Sequence, residues 1–260
     1  MVNRIISVIA WLSIVFLIAP LLVIVGSSFT ETDFVTFPPR GFTLRWYAEA
    51  MVAGGFVDAF FDSLMIAAAT MTGVALIGIP SALGLRMGST RTQTILRSMI
   101  MAPLTLPAIV SGIALLQVYY ASGLDAPFVG IVVGHILITV PFFIRTVTAG
   151  LESVPNSILE AAESLGASRA RVLFRVLLPS IIPSIGAGLA FVFILSFDEV
   201  TMSIFFSNPE IMPLPIRIYN YIEFSVEPVI AAISTILILS AFVLVALLQR
   251  VFGIDRAFAK

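Results

Sequence analysis

Residues 159–180 read LEAAESLGASRARVLFRVLLPS, a charged, glycine-broken segment between two long apolar runs. The segment holds two glutamates and three arginines, although the chain is 59% hydrophobic and only 11% charged, with a mean hydropathy of +1.10. A soluble domain needs about a quarter of its residues charged to cover its surface. The composition therefore predicts a membrane protein, in which this segment is one of the few stretches that meet water.

Six apolar runs are long enough to cross a bilayer, which takes about 20 residues of helix. The runs are continuous rather than alternating, which favours helices over the strands of a closed barrel. The sequence therefore predicts an all-α, polytopic membrane protein with six transmembrane helices. No small-residue cleavage site follows the first run, which indicates an uncleaved span. The predicted spans are residues 5–29, 59–85, 98–120, 128–149, 181–206 and 229–252.

The basic residues predict the orientation. If the N-terminus is cytoplasmic, all but three of the 14 lysines and arginines fall on the cytoplasmic side, and the three exceptions are Arg40, Arg45 and Arg217. Both termini and the segment 159–180 are then cytoplasmic. The predicted division is a first span with an outer polar segment (1–58), a domain of five spans (59–252) and a cytoplasmic tail (253–260).

The composition and net charge exclude several classes of function. The chain has no cysteine, which excludes disulfides, thiolate metal sites and cysteine catalysis. Its net charge of −1 gives no basic field for nucleic acid. An intramembrane enzyme would need a Ser/His, paired Asp or metal constellation, and the single histidine and adjacent acids do not supply one. We predict no catalytic residue and no metal site.

The opening segment and the residues before it predict two short helices joined by a turn. Ser153 is expected to cap the first helix, with Pro155 in its first turn. Gly166 is expected to end that helix in a left-handed conformation, and Ser168 to cap the second. Apolar residues at helical spacing share one face of the first helix: Ile158, Ala161, Ala162 and Leu165.

Two interpretations of this helix pair are open from the residues alone. The arginines could anchor it to lipid phosphates at the membrane surface. Alternatively, the small Ala161-Ala162 pair beside Glu160 could form a flat surface with one charge, suited to the cleft of another protein.

The segment resembles the EAA loop of ABC importer permeases, whose pattern is E-A-A-x3-G-x9-I-x-L-P. Here Glu160-Ala161-Ala162 and Gly166 match at this spacing, and Val176-Leu177-Leu178-Pro179 departs only in valine for isoleucine. In that family the short helix docks in a groove of the ATP-hydrolysing subunit and transmits its closure to the spans. The resemblance implies that coupling to an ATPase rests on Glu160, Ala161, Ala162, Gly166, Leu178 and Pro179.

The resemblance also implies the partners. The chain lacks the G-x-x-x-x-G-K-[ST] phosphate loop, so ATP and magnesium are expected on partner ATPase subunits, two in number, and no cofactor is expected here. The chain would be a permease subunit that forms half of a solute path, not an enzyme. It would pair with a sister permease or a second copy of itself in a bacterial inner membrane, and receive solute from a periplasmic or lipid-anchored binding protein.

Within the family, residues 103–116, 134–142 and 196–206 most resemble the spermidine/putrescine-type permeases. This implies a polyamine or another small cation as solute. The sequence departs from the polyamine-type pattern at one position: an acidic residue is expected after Pro107, and Ala108 stands there. Permeases for ferric iron, phosphonates or other small solutes are the alternative within the family. A stand-alone secondary transporter is a further alternative, although the chain shows no internal repeat for one.

Three ionisable residues are candidates for the solute path. Asp198 and Glu199 follow the apolar run of the fifth predicted span, where costly charges usually face a cavity. They could equally lie just above the lipid, and one of them could cap the next helix. His135, in the fourth predicted span, could be a path residue or a neutral imidazole bonded to a neighbouring helix. Asp62, at the start of the second span, is expected to cap it.

Overall fold

The computed structural model describes residues 2–52, 54–88, 90–225 and 227–252, and every regular element within them is helical. The tail predicted at 253–260 lies outside the described residues. The chain divides into two compact units, Met1–Asp58 with Arg217–Ala246 and Ala59–Ile216 with Leu247–Lys260. The α-helices are α1 Val2–Ser27, α2 Arg45–Val52, α3 Phe56–Met87, α4 Thr90–Met101, α5 Ala108–Ala121, α6 Pro127–Glu152, α7 Asn156–Ser164, α8 Arg169–Val172, α9 Leu178–Ser180, α10 Ile182–Phe197, α11 Ser203–Phe206, α12 Leu214–Phe224 and α13 Pro228–Phe252.

The first unit begins with a bare apolar helix and a compact loop. The segment Arg4–Ser27 of α1 has a mean hydropathy of 3.0, and its residues 4–23 are exposed, so most of the helix surface is open to lipid or to another chain. After it, the indole nitrogen of Trp46 donates to the carbonyl of Thr30 at 2.8 Å. The ring of Phe29 stacks on Phe42 with centroids 5.2 Å apart. These contacts order the polar segment that the sequence places outside the membrane.

The second unit is built around α6 and α10, which pack closely because glycines face a large side chain. Phe143 of α6 is fully buried. A Cβ added at Gly188 of α10 would lie 2.9 Å from the Phe143 ring, and one added at Gly78 of α3 would lie 2.4 Å from it. The ring therefore occupies the space that side chains would take at these glycines, which brings three helices together. The surrounding core includes Val74, Val147, Leu151, Leu177 and Val192.

Three helical segments among the described residues are long and apolar enough to cross a membrane alone: Arg4–Ser27, Phe56–Met87 and Pro127–Glu152. The number rises to five if each of two bent helix pairs is one span. The sixth predicted span falls in α13. An all-helical membrane protein is therefore confirmed, and the count of six spans stays a prediction.

The third and fifth predicted spans are not the single helices that the sequence suggested. The third divides into α4, a 3-10 turn at Ala102–Thr105 and α5, with a bend of 100°. Pro107 precedes α5 and cannot donate a backbone hydrogen bond, which accounts for a break at this point. In the fifth predicted span the helix α10 ends at Phe197, and the residues from there to 206 form a turn and the short α11.

The predicted caps at Ser153 and Asp62 were wrong. Ser153 lies at the end of α6, where its hydroxyl donates to the carbonyl of Gly150 at 2.7 Å, and Pro155 takes the capping position of α7. Asp62 lies inside α3, which begins six residues earlier at Phe56. Its carboxylate instead accepts the backbone N–H of Met212 at 3.0 Å.

Candidate functional site

The helix α7 contains the E-A-A residues and ends as the sequence predicts. Gly166 has a φ of +84°, the left-handed conformation that glycine adopts without strain. The N–H of Ala167 donates back to the carbonyl of Ala162 at 3.1 Å, which closes the helix end. Ser168 then caps α8 by accepting the N–H of Arg171 at 3.4 Å. Local chemistry alone therefore sets the turn between the two helices.

Most of the α7 surface is exposed. Glu160 and Ala161 are exposed and Ala162 is half-buried, whereas Leu159 packs against the core of the second unit. The side chain of Leu165 is 89% exposed and that of Ile158 is 48% exposed. Most of the predicted apolar face of α7 thus points away from the chain's own core, so this short segment presents apolar side chains and the carboxylates of Glu160 and Glu163 outward.

The residues after α8 lead into α10 through an irregular stretch. Leu173–Leu177 form a π-helical turn, and α9 follows with Leu178 partly buried against the core and Pro179 exposed. The segment Arg169–Ser180, which contains this stretch, and α10 meet at 59°. The Leu178-Pro179 pair therefore lies directly before the bend that leads into α10.

Asp198 and Glu199 lie beyond the end of α10 and have different surroundings. Asp198 is exposed. Glu199 is half-buried, and its Oε1 accepts the backbone N–H of Met202 at 2.9 Å, one residue before α11 begins. Among the described residues, the Oε2 of Glu199 has no hydrogen-bond partner. One acid therefore caps the following helix while keeping a free oxygen, and its neighbour faces solvent.

In the part of the chain that the structure describes, Glu199 contributes the only charged side chain to a cavity of about 300 Å³. The walls come from the break in the third predicted span, from α6 and from the end of α10. Its lining residues are Pro103, Leu104, Leu106, Ala108, Ile138, Phe142, Leu195 and Glu199. Small-molecule sites are typically apolar hollows of about 300–1,000 Å³ with a few placed polar groups. A single carboxylate in apolar walls suits a small cation with an aliphatic body.

His135 is fully buried and is not among the residues that line this cavity. Its Nδ1 is 2.8 Å from the hydroxyl of Ser196, and its Nε2 is 2.9 Å from the hydroxyl of Ser203. The imidazole thus bridges α6, α10 and α11, which is the bonded arrangement that the sequence offered as the alternative to a path residue. The serines were not singled out from the sequence, because only the fold brings them to the ring.

Arg86 is a further residue that sequence reasoning treated only as a cytoplasmic cation. Its guanidinium reaches the turn between α6 and α7, more than 60 residues away along the chain. No local pattern in the sequence signals such a contact. Among the described residues, no group of three or more His, Asp or Glu side chains is placed to hold a metal ion.

Comparison with known proteins gives the family. Residues 75–254 match the family described as binding-protein-dependent transport system inner membrane component. The chain is 31% identical over 91% of its length to the spermidine/putrescine transport system permease protein PotC of Escherichia coli K12, covering 89% of that protein. It is 32% identical over 96% of its length to the putrescine transport system permease protein PotI of the same organism, covering 94% of it. A putative 2-aminoethylphosphonate transport system permease protein of Salmonella paratyphi A is 28% identical over 92% of this chain and 91% of its own.

Solved structures show the same fold. A chain of a bacterial ABC transporter involved in the import of the polysaccharide alginate superposes with a TM-score of 0.75 at 17% identity, covering 95% of both chains. A chain of the MetNI methionine ABC transporter superposes with a TM-score of 0.62 at 16% identity, covering 81% of this chain and 97% of that one. The sequence relatives and the fold together establish that the chain belongs to the family of binding-protein-dependent transport system inner membrane components, as a permease subunit of an ABC importer.

Proposed function

We propose that this permease subunit forms half of a path for a small organic cation and takes its energy from a separate ATPase that docks on α7. In this account the chain crosses the membrane six times with both termini in the cytoplasm. Two ATPase subunits bind the ATP and magnesium. A sister permease, or a second copy of this chain, forms the other half of the path, and an external binding protein delivers the solute.

The docking role rests on the exposure of α7. Leu159 is partly buried against the core, but Ile158 and Ala161 of α7 and the adjoining Leu165 are exposed, which leaves apolar surface uncovered in the chain alone. Burial of apolar surface contributes about 25 cal/mol per Å², so a partner that covers these side chains gains stability. Glu160 and Glu163, on the neighbouring face of the helix, give the contact its charged groups. This combination favours a protein partner over lipid phosphates, because the exposed carboxylate would be repelled by phosphate.

The cation path rests on the cavity beside Glu199. Its Oε1 is held by the N–H of Met202, so the carboxylate is fixed while its Oε2 is free to accept from a solute. The relatives are named for transport of spermidine and putrescine and, putatively, of 2-aminoethylphosphonate. All three compounds carry an ammonium group at neutral pH. An ammonium donating to Glu199 with methylenes along the apolar wall fits each of them, and a polyamine is the solute we favour.

Reconstitution tests this function. The chain would be co-expressed with the ATPase, sister permease and binding protein encoded beside it, and ATP hydrolysis would be measured with binding protein loaded with polyamines, ferric iron, phosphonates or small organic anions. We expect stimulation by an ammonium-bearing solute. Stimulation only by ferric iron or by an anion without an ammonium group would reject the cation path. Failure to form a complex with any ATPase would reject the docking role of α7.

A further inference from the structure

Arg86 joins the end of α3 to the turn that leads into α7. Its Nη1 donates to the carbonyl of Leu151 in the last turn of α6. Its Nη2 donates to the carbonyl of Val154 at 3.1 Å and to the side-chain oxygen of Asn156 at 3.0 Å. Asn156 is the first residue of α7. One side chain therefore holds the last turn of α6, the connecting residues and the beginning of α7.

The chemistry of the contact explains why an arginine stands there. Carbonyl groups in the last turn of a helix lack partners within the helix, and a cation near that end is favoured by the helix dipole. The guanidinium is a rigid planar fork with five N–H donors, so it can reach acceptors on three different residues together. A lysine ammonium is a compact group on a flexible stem and cannot span the same three acceptors.

Apolar packing fixes the position of this arginine. Its neighbour Leu85 is 4% exposed and belongs to the same core as Leu151 and Val154, which are 0% and 8% exposed. On α7, Leu159 packs against that core. Leu85 of α3 and Leu159 of α7 therefore belong to one apolar core. The hydrogen bonds of Arg86 to Leu151, Val154 and Asn156, here called the clamp, lie at the edge of that core.

The other end of α3 is tied in the same manner. The carboxylate of Asp62 accepts the N–H of Met212 at 3.0 Å, and the hydroxyl of Ser63 accepts the N–H of Leu214 at 2.8 Å. Asp62 and Arg86 are separated by about 36 Å along the helix at 1.5 Å per residue. A displacement of α7 would thus be passed by one helix to the loop that follows α11.

We propose that Arg86 is the positioning residue that transmits movement of α7 to α3, so that closure of the ATPase reaches the far end of the spans. This inference rests on the proposed docking role of α7. Coupling then depends on a side chain that lies outside the E-A-A segment and that touches neither ATP nor solute. Coupling free energies between sites correspond to about 5-fold to 150-fold effects.

The test compares Arg86→Gln with a matched control in the reconstituted complex with its ATPase, sister permease and binding protein. Arg97→Gln removes the same charge from an exposed ion pair, since Arg97 lies 3.2 Å from Glu152 and both side chains are more than half exposed. The readout is the ratio of ATP hydrolysis with loaded binding protein to hydrolysis without it, per assembled complex. A residue that only stabilises the fold would change the yield of complex and leave this ratio intact.

We expect Arg86→Gln to lower the ratio about fivefold or more and Arg97→Gln to change it by less than about twofold. An unchanged ratio in Arg86→Gln, with a lowered ratio in Glu160→Arg, would overturn the inference and leave the docking role of α7 standing. Unchanged ratios in both variants would overturn the docking role and the inference together.

If Arg86→Gln does not assemble, a second measurement tests the inference. The chain has no cysteine, so spin labels can be placed at Met87→Cys and Ser157→Cys in the full chain without other changes. We expect a narrow distance distribution with Arg86 and a broader or shifted one with Arg86→Gln or Arg86→Lys. Identical distributions would overturn the inference, because α7 would then be held against α3 without the clamp.

Discussion

Replacing Glu199 by glutamine separates the two tasks that we assign to this side chain. The amide oxygen of glutamine can still accept the N–H of Met202, so the cap of α11 is retained while the charge is lost. A hydrogen bond to a charged group contributes about 1.5–3 kcal/mol, which is about a 10-fold to 150-fold change in occupancy at 1.4 kcal/mol per tenfold. Replacement by alanine would additionally remove the cap, at a cost of about 0.5–2 kcal/mol.

The assay is uptake of a radiolabelled cationic solute into proteoliposomes, with ATP hydrolysis measured in the same sample. We expect the number of solute molecules delivered per ATP to fall about tenfold or more in Glu199→Gln, because the cation is no longer held while the ATPase continues to cycle. Asp198→Asn is the matched control, since Asp198 is adjacent, exposed and not part of the cavity lining. A solute-to-ATP ratio that is unchanged in Glu199→Gln, or that falls equally in Asp198→Asn, would refute the reasoning.

Three other substitutions probe coupling, the buried histidine and the core. We expect Glu160→Arg to reduce co-purification of the ATPase or to uncouple hydrolysis from uptake; normal values of both would contradict the docking helix. His135→Ala should lower the unfolding temperature in detergent, because two buried serine hydroxyls each lose a partner at about 1–3 kcal/mol, while the solute-to-ATP ratio of intact complexes is kept. Gly188→Val should also lower that temperature by crowding Phe143, at about 1–3 kcal/mol, whereas Gly84→Ala, with nothing within 4 Å, should not.

Features that depend on neighbours in sequence could be predicted from the sequence. The left-handed Gly166 and the Ser168 cap follow from local backbone chemistry, and both are present. The helical membrane architecture could also be predicted, because a continuous apolar run is a property of neighbouring residues. The family could be inferred from one short segment, because residues 160–179 match the spacing of the EAA loop.

Features that depend on partners far along the chain could not be predicted. Asp62 has the sequence context of a helix cap, but its acceptor role toward Met212 depends on a residue 150 positions away. Arg86 is indistinguishable from the other basic residues until the fold places the α6–α7 turn beside it. The 100° bend was not predicted, because prolines at 103 and 107 fit either a kinked span or two separate helices.

Site-specific photocrosslinking tests most directly whether α7 docks on a separate ATPase. Because the chain has no native cysteine, Ala161→Cys can carry a single benzophenone label in the assembled complex, with Leu124→Cys as a control at an exposed loop of the opposite predicted side. We predict that the label at position 161 crosslinks to the ATPase subunit, with a yield that changes on addition of ATP, and that the label at position 124 does not. Crosslinks from position 161 to lipid alone would contradict the account and would favour a helix pair that merely rests on the membrane.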